Sequence, residues 1–529
     1  MPKNYLIGVG GTGARVIEAM TYLCAAGYGP KELNVFIVDP DEGNGNLTRT
    51  TSLLARYKTC RDSLSGRGGA RLFKTVINTP EPAVWNVVRN KNQQLGDFIN
   101  VEGIEQPELK DLISVLFTDK ELTTELNEGF RGHPSIGSVL MADLDPVKTT
   151  NPWKMLWDDI GSVGKAHDLR VFLVGSVFGG TGAAGVPTFG APKTLKNAPE
   201  CKIGDASKIL LGAALVLPYC TMDEDDDGQK MIKSKEMCVT HRDFPIATKA
   251  ALQYYGGKDL AFDQYYFIGD SLPEKVGKFR HGKKEQENRP HYIELVSALA
   301  AYDFFEQEEV KTLPEKLYLI AGRETKSLSW DTLPLARRKE DIQDRSEALK
   351  QRVLIMTAFG YMLNTYGKRI LDTMKHRDVP DSWYNTLFKY RENNPKDTDL
   401  DLRQGKNAMR IKAATEFSNL FLNWVAALDD ESGVVQLISR ERLFGKEQPT
   451  PGLVSDKILD EVVNKAAIGE LLKQASKSGK LDFVHAIDML NEAAKQPMER
   501  KSNGDDFVDL FYRGATGFCE KNYSFKTRE

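Results

Sequence analysis

The stretch that most limits what this chain can become is Val171–Pro187, VFLVGSVFGGTGAAGVP. Val171–Val174 is a short continuous apolar run, as expected of a buried strand. It opens directly into Gly175, Ser176, Val177, Phe178, Gly179, Gly180, Thr181, Gly182, Ala183, Ala184 and Gly185. Five glycines in those eleven residues leave the main chain unscreened by side chains and free to reach positive φ. Bare N–H groups and hydroxyls that run into a helix start form a cradle for an anion. A plain turn needs no such run of glycines straight after a buried strand.

A second glycine loop sits at the N-terminus. Tyr5–Val9 (YLIGV) reads as a strand, and Gly8, Gly10, Gly11 and Gly13 fall within GVGGTG. Val16, Ile17, Met20, Leu23 and Cys24 then line one face of a helix. Val35–Val38 is a second apolar strand that ends at Asp39. This is a β-loop-α-β unit with an acid at the tip of its second strand. The glycines allow close approach of a phosphate, and Asp39 or Asp41 can meet a ribose or, through water, a metal. By itself the fingerprint fits a dinucleotide enzyme, an adenylating enzyme or a GTPase-type fold.

The rest of the chain supplies order and texture. Leu112–Phe117 fits a strand or a helix. Gly132–Gly137 (GHPSIG) reads as a compact turn, since Pro134 disfavours helix at His133. His133 reads there as a turn residue rather than a catalyst. Trp153–His167 is a predicted helix leading into the main loop, and Ala191–Lys196 is expected to continue a helix beyond it. Ile209–Leu217 is another buried strand, stopped by Pro218. The carboxylates of Asp223–Asp227 and the basic run Lys275–Lys284 read as solvated loops without metal-ligand spacing. Ala247–Tyr255 is a predicted helix and Tyr265–Ile268 a predicted strand. Pro290–Glu309 reads as a long helix, apolar over much of its circumference and therefore buried.

Beyond about residue 330 the pattern becomes helical. Leu349, Val353, Met356, Phe359, Leu363, Tyr366 and Ile370 follow spacings of three and four. Met409–Leu428, Glu461–Ala475 and Leu481–Ala494 are further predicted helices, with Pro395–Asp401 and Gly445–Gly452 as linkers. The expected division is an α/β nucleotide-binding domain over 1–310 and a mainly helical domain over 311–529. No internal repeat is visible.

Composition narrows the function classes. A net charge of −3 gives no global argument for nucleic acid or an anionic membrane. No apolar run is long enough for a transmembrane segment. The six cysteines (Cys24, Cys60, Cys201, Cys220, Cys238, Cys519) lack CxxC spacing, which argues against a zinc site or a disulfide scaffold and for reduced thiols in a cytoplasmic protein. The seven histidines are equally scattered.

FGGTGAAGVP at Phe178–Pro187 resembles the glycine-rich phosphate loop of the tubulin/FtsZ superfamily. The order of parts agrees. Gly8–Gly13 is similar to that family's first phosphate loop, and VFIVDPD (Val35–Asp41) to its second strand and the loop after it. GHPSIG resembles the γ-phosphate-side loop of FtsZ, LLGAALVLPY the strand after the main loop, and LVSA at Leu295–Ala298 the central helix of tubulin. The resemblance covers roughly residues 1–310 and places the chain beside divergent bacterial tubulin-like proteins rather than FtsZ itself.

The resemblance implies a Rossmann-like domain with a parallel sheet and a long central helix. It implies GTP or GDP, with Mg2+, held by main-chain amides and hydroxyls without a P-loop lysine. Gly10, Gly11, Thr12 and Gly13 would approach the α- and β-phosphates, with Asp39 beyond them. Gly179, Gly180, Thr181 and Gly182 would wrap the phosphates from the other side, and the segment from Gly132 to Gly137 would sense the γ-phosphate. The base would meet the start of the central helix, where the family presents Asn or Asp and this chain has Ile293 beside Glu294. A carboxylate there can accept from guanine. The family also implies a homo-oligomer or polymer, with hydrolysis completed by acids of a neighbouring subunit. Here Glu306, Glu308 and Glu309 precede LPEKLYL without the family's asparagine-and-acid pattern, so no catalytic residue is assigned. The helical region departs from the family's mixed second domain and suggests a separate protein partner.

Two other readings compete. GVGGTG followed by VDPDEGNGNLTR also resembles ThiF-like adenylating enzymes of the ubiquitin-activating type. Asp39, Asp41, Asn46 and Arg49 would then hold ATP and its metal. That leaves the second glycine loop unexplained. The third reading is a nucleotide-bound scaffold that does not hydrolyse.

Overall fold

The structure, a computed structural model, describes residues 2–64, 72–88, 93–126, 130, 132–142, 144, 150–192, 194–196, 205–223, 244–257, 259–270, 274–278, 287–307, 316–322, 328–330, 332–334, 342–367, 402, 405–428, 437, 483–495 and 503–523. Its strands are β1 (Lys3–Val9), β2 (Glu32–Val38), β3 (Val76–Asn78), β4 (Val84–Trp85), β5 (Leu169–Ser176), β6 (Ile209–Val216), β7 (Cys220–Asp223), β8 (Gln264–Ile268), β9 (Glu274–Lys278) and β10 (Leu317–Ala321). Its longer helices are α1 (Gly10–Ala25), α2 (Gly45–Leu64), α3 (Leu95–Ile99), α4 (Pro107–Leu116), α5 (Asp119–Leu122), α6 (Pro134–Met141), α7 (Trp153–Ser162), α8 (Gly180–Phe189), α9 (Phe244–Gly257), α10 (Tyr292–Phe305), α11 (Ile342–Met362), α12 (Gly405–Ala427), α13 (Phe483–Ala494) and α14 (Asn503–Tyr523).

The main sheet runs β10-β8-β6-β5-β1-β2, and every pairing in it is parallel. β3 and β4 share the far edge, β3 along Glu32–Asn34 and β4 along Ile37–Val38 of β2. A parallel sheet must be covered on both faces, which is why its strands read as continuous apolar runs. The two-residue period divides each strand between two cores. Leu6, Phe172 and Val174 face one core with α1, α2 and α10. Tyr5, Ile7, Val171 and Leu173 face the other, with α6, α7 and α8.

The winding reverses between β1 and β5. From β1 the chain passes through α1 on one face to β2; from β5 it passes through α8 on the opposite face to β6. Opposite directions combined with opposite faces keep both crossovers of the same hand. The molecule is therefore an α/β protein with a doubly wound parallel sheet.

The described C-terminal helices cover the α1 side. Tyr22 of α1 stacks on Trp424 of α12 with ring centroids 4.8 Å apart, and its edge meets Phe421. The apolar cluster continues without a break from α1 and α10 into α11, α12 and α14. Among the described residues no helix is long and apolar enough to cross a membrane. No disulfide joins Cys24, Cys60, Cys220 and Cys519, all of which are buried.

Several expectations are corrected. Ala191–Lys196 does not continue a helix: α8 ends at Phe189 with Gly190 as its C-cap. Pro192 has no N–H with which to extend it. The predicted helix from Trp153 stops at Ser162, before Gly164 at φ +80°. The long buried helix is the fourteen-residue α10, shorter than Pro290–Glu309: a capping box of His291 and Glu294 sets its start, and it ends at Phe305 with Glu306 as its C-cap. GHPSIG is a turn only as far as His133, since Pro134 is the first residue of α6 and proline suits that position. Part of the basic loop, Glu274–Lys278, is strand β9 beside β7. The open choice at Leu112–Phe117 resolves as helix α4. Glu461–Ala475, the two linkers, Glu308, Glu309 and Glu224–Asp227 lie outside the described residues.

Candidate functional site

In an open parallel sheet the strand ends splay apart where the winding reverses, and a crevice opens beyond their carboxyl ends. That point here lies between β1 and β5, paired from Lys3–Leu169 to Gly8–Val174. Both glycine loops leave the sheet at this point. Gly10, with φ +77°, lets the chain turn from Val9 straight into α1. A Cβ on Gly10 would lie 3.2 Å from Cβ of Thr181 and 3.4 Å from the amide nitrogen of Gly182. The two loops thus face each other almost backbone to backbone.

The third segment closes a further side. A Cβ on Gly180 would lie 3.0 Å from the amide nitrogen of Gly132 and 3.2 Å from that of His133. Gly137 has a different position. It sits inside α6, where a Cβ would meet the Phe130 ring at 2.6 Å and Cβ of Ala184 at 2.7 Å. Its lack of a side chain lets α6 pack closely on α8. Gly11, Thr12, Gly179, Thr181, Gly132 and His133 are partly exposed, while Gly10, Gly13, Gly180 and Gly182 are buried.

The electrostatics of this mouth come from the main chain. α1, α6 and α8 all start without a side-chain cap and without an acidic residue in the first turn. By contrast α5 and α10 have complete capping boxes. The first N–H groups of a helix have no partner within it and concentrate partial positive charge. Three such ends around one opening suit an anion with several oxygens.

Comparison with family models, with curated proteins and with solved structures finds no match.

The loop after β2 flanks α1. Asp39 Oδ1 accepts the amide of Asp41 at 2.9 Å, and Asp41 Oδ1 accepts that of Gly43 at 3.1 Å. A Cβ on Gly11 would lie 3.5 Å from Nδ2 of Asn46 and 3.7 Å from Nδ2 of Asn44. Burial pushes the Asp39 carboxyl up to about 7, with the Asp41 charge adding to the effect and the Asp41 amide opposing it. Asn46 exchanges two hydrogen bonds with Asn288, at 2.9 and 3.0 Å. Arg49 grips Glu18 through Nε and Nη2. Of the four residues of the adenylating reading, Asn46 and Arg49 thus have protein partners that tie α2 to the segment before α10 and to α1.

Glu294 is 2% exposed and has partners on both oxygens. Oε1 lies 2.7 Å from Nη1 of Arg15, and Oε2 accepts the His291 amide at 2.9 Å. Arg15 also donates to Tyr219 Oη at 2.8 Å, and its Nη2 lies 3.5 Å from Thr12 Oγ1. Burial works against the Arg15 charge, but the Glu294 carboxylate, with Tyr219 and Cys220 adding to it, offsets this and holds the guanidinium firmly protonated. A base reaching Glu294 would have to compete with Arg15. Sequence reasoning missed Arg15. The available signals were an arginine within an apolar helix and the H-x-x-E spacing of His291 and Glu294.

Among the described residues no group of three or more His, Cys, Asp or Glu side chains is arranged to hold a metal ion.

Proposed function

We propose that the crevice between β1 and β5 binds a guanine nucleotide through its phosphates, in the manner of the tubulin/FtsZ superfamily. The observation that carries this reading is the meeting of two uncapped helix N-termini, α1 and α8, at the winding reversal, with Gly10 set against Thr181 and Gly182. Phosphate needs close main-chain approach and aligned N–H donors, and this arrangement supplies both. Asp39, at the tip of β2, has the position from which an acid meets a ribose in doubly wound folds. Mg2+ keeps most of its water and prefers phosphate oxygens to an all-protein cage. It would ride on the nucleotide, with Asp39 or Asp41 reaching it through water.

Guanine and self-assembly rest on the sequence resemblance alone and form part of the proposal on that footing. The test is to purify the protein, identify any nucleotide it retains, and titrate it with GTP and with ATP. GTP binding together with nucleotide-dependent sedimentation supports the reading. ATP turnover with release of AMP and pyrophosphate replaces it with adenylation. In Gly180→Val a branched side chain would press on the Gly132 and His133 main chain, so binding should fall below detection while the circular dichroism spectrum stays that of a folded protein. Unchanged GTP affinity in this variant would remove the α8 loop from the site.

A further inference from the structure

The glycine segments Gly8–Gly13, Ser176–Gly182 and Gly132–Gly137 contain a single side chain able to exchange a proton near neutral pH, His133. Its imidazole is held in place. Nδ1 lies 3.0 Å from Oε1 of Glu121, whose Oε2 in turn accepts the Thr118 amide at 2.8 Å and the Thr118 hydroxyl at 2.9 Å. Burial alone would raise the Glu121 carboxyl, but the hydrogen bonds from Thr118 and the neighbouring imidazole hold it below the usual range. The carboxylate therefore accepts a hydrogen bond from Nδ1–H, which leaves the ring's lone pair on Nε2. Among the described residues Nε2 has no hydrogen-bond partner. The His133 side chain is 32% exposed, and its own amide is one of the two that border Gly180 at the start of α8.

We propose that Glu121 and His133 form a general-base dyad that hydrolyses the terminal phosphoanhydride of a nucleoside triphosphate seated in the crevice. This inference rests on the nucleotide reading above. His133 Nε2 takes a proton from a water molecule as the water oxygen bonds to the terminal phosphorus. The bond from that phosphorus to the bridging oxygen breaks, and its electron pair leaves with the nucleoside diphosphate. Inorganic phosphate forms, and the imidazolium returns its proton to solvent. Glu121 is the positioning residue, which fixes the tautomer and stabilises the transient imidazolium. Both groups belong to one chain. Turnover per chain is then independent of protein concentration, unlike hydrolysis completed by a neighbouring subunit.

Among the described residues the charged group recorded against the imidazole is Glu121 on α5. The first turns of α6 and α8, Pro134–Gly137 and Gly180–Ala183, contribute no charged side chain. The neutral imidazole is the form that can accept a proton, so turnover rises with pH to a plateau. The experiment measures phosphate release from saturating GTP by the full chain across pH and protein concentration, with affinity for a non-hydrolysable GTP analogue measured in parallel. His133→Ala and His133→Gln should each lower turnover about 100-fold and abolish the pH limb, with analogue affinity within about threefold. Glu121→Gln should lower the plateau about tenfold, since the carboxylate that fixes the tautomer and stabilises the transient imidazolium is gone.

Wild-type turnover or an intact limb in the His133 variants overturns the proposal. So does loss of analogue binding in all three variants, which would make the pair a structural part of the rim. A wild-type chain that binds the analogue but releases no phosphate overturns this inference and leaves the nucleotide reading standing. A chain that binds neither GTP nor the analogue overturns both.

Discussion

The two walls of the crevice are built on opposite principles. The α1 wall is anchored by buried charge. Arg15, Glu18 and Tyr22 lie at spacings of three and four on one stripe of α1. They reach Glu294 of α10, Arg49 of α2 and Trp424 of α12 respectively. Among its described residues the α8 wall has no buried ion pair. Its first turns are Gly180, Thr181, Gly182, Ala183 and Ala184, and Gly137 brings α6 against it through the absence of a side chain. On the first wall buried groups hold the helices, and losing one costs folding energy. On the second, the proposed nucleotide needs empty space, and filling it should cost binding. The titratable pair of this second wall, Glu121 and His133, lies at its partly exposed rim.

The contrast can be broken from either side. The largest effect belongs to Glu294→Gln, which leaves the Arg15 guanidinium buried without its counter-charge. Breaking a buried pair in this way costs about 3–5 kcal/mol, read as a shift of the denaturant midpoint, with little change in nucleotide affinity at saturating folded protein. A loss of affinity at full stability would exchange the roles of the two walls.

Asp39→Asn comes next, and its effect depends on pH. The native carboxyl titrates about 3 units above its unfolded value, so between those values the native state holds a proton that the unfolded chain has released. The wild type's stability from this group is present below about pH 4 and is lost as pH rises to about 7. At 1.36 kcal/mol per unit the loss is at most about 4 kcal/mol. Melting curves of Asp39→Asn should gain on wild type between pH 4 and pH 7 and run parallel above that. A constant offset across this range would show an ordinary carboxyl.

Thr181→Val tests the other wall with the smallest perturbation. Thr181 is partly exposed at the mouth, and a hydrogen bond to a charged oxygen contributes about 1.5–3 kcal/mol. GTP affinity should fall about tenfold or more, with unfolding free energy within about 0.5 kcal/mol of wild type. Equal losses of stability and affinity would show that this wall, too, is held by its side chains.

Legibility in the sequence follows the range of the forces involved. Ile209–Leu217 and Tyr265–Ile268 were readable as strands because a strand covered on both faces is apolar throughout. The three glycine segments were readable because each is local chemistry. β3, β4, β7 and β9 were not, since short edge strands take their state from a partner rather than from their own pattern. His133 reads from local sequence as a turn residue because its partner, Glu121, is twelve residues away in the chain.

Local sequence thus determined that this is an α/β chain with two strand-loop-helix units and, among the described residues beyond about 340, a helical region. Burial pattern and glycine placement act over a few residues and are written in them. Tertiary structure alone decided that the winding reverses between β1 and β5, which turns two separate cradles into facing walls. It also decided that Arg15 meets Glu294, residues 279 positions apart in the chain. Strand order and buried charge pairing depend on which distant segments come together, and that is settled when the whole sheet and its two covering layers pack at once.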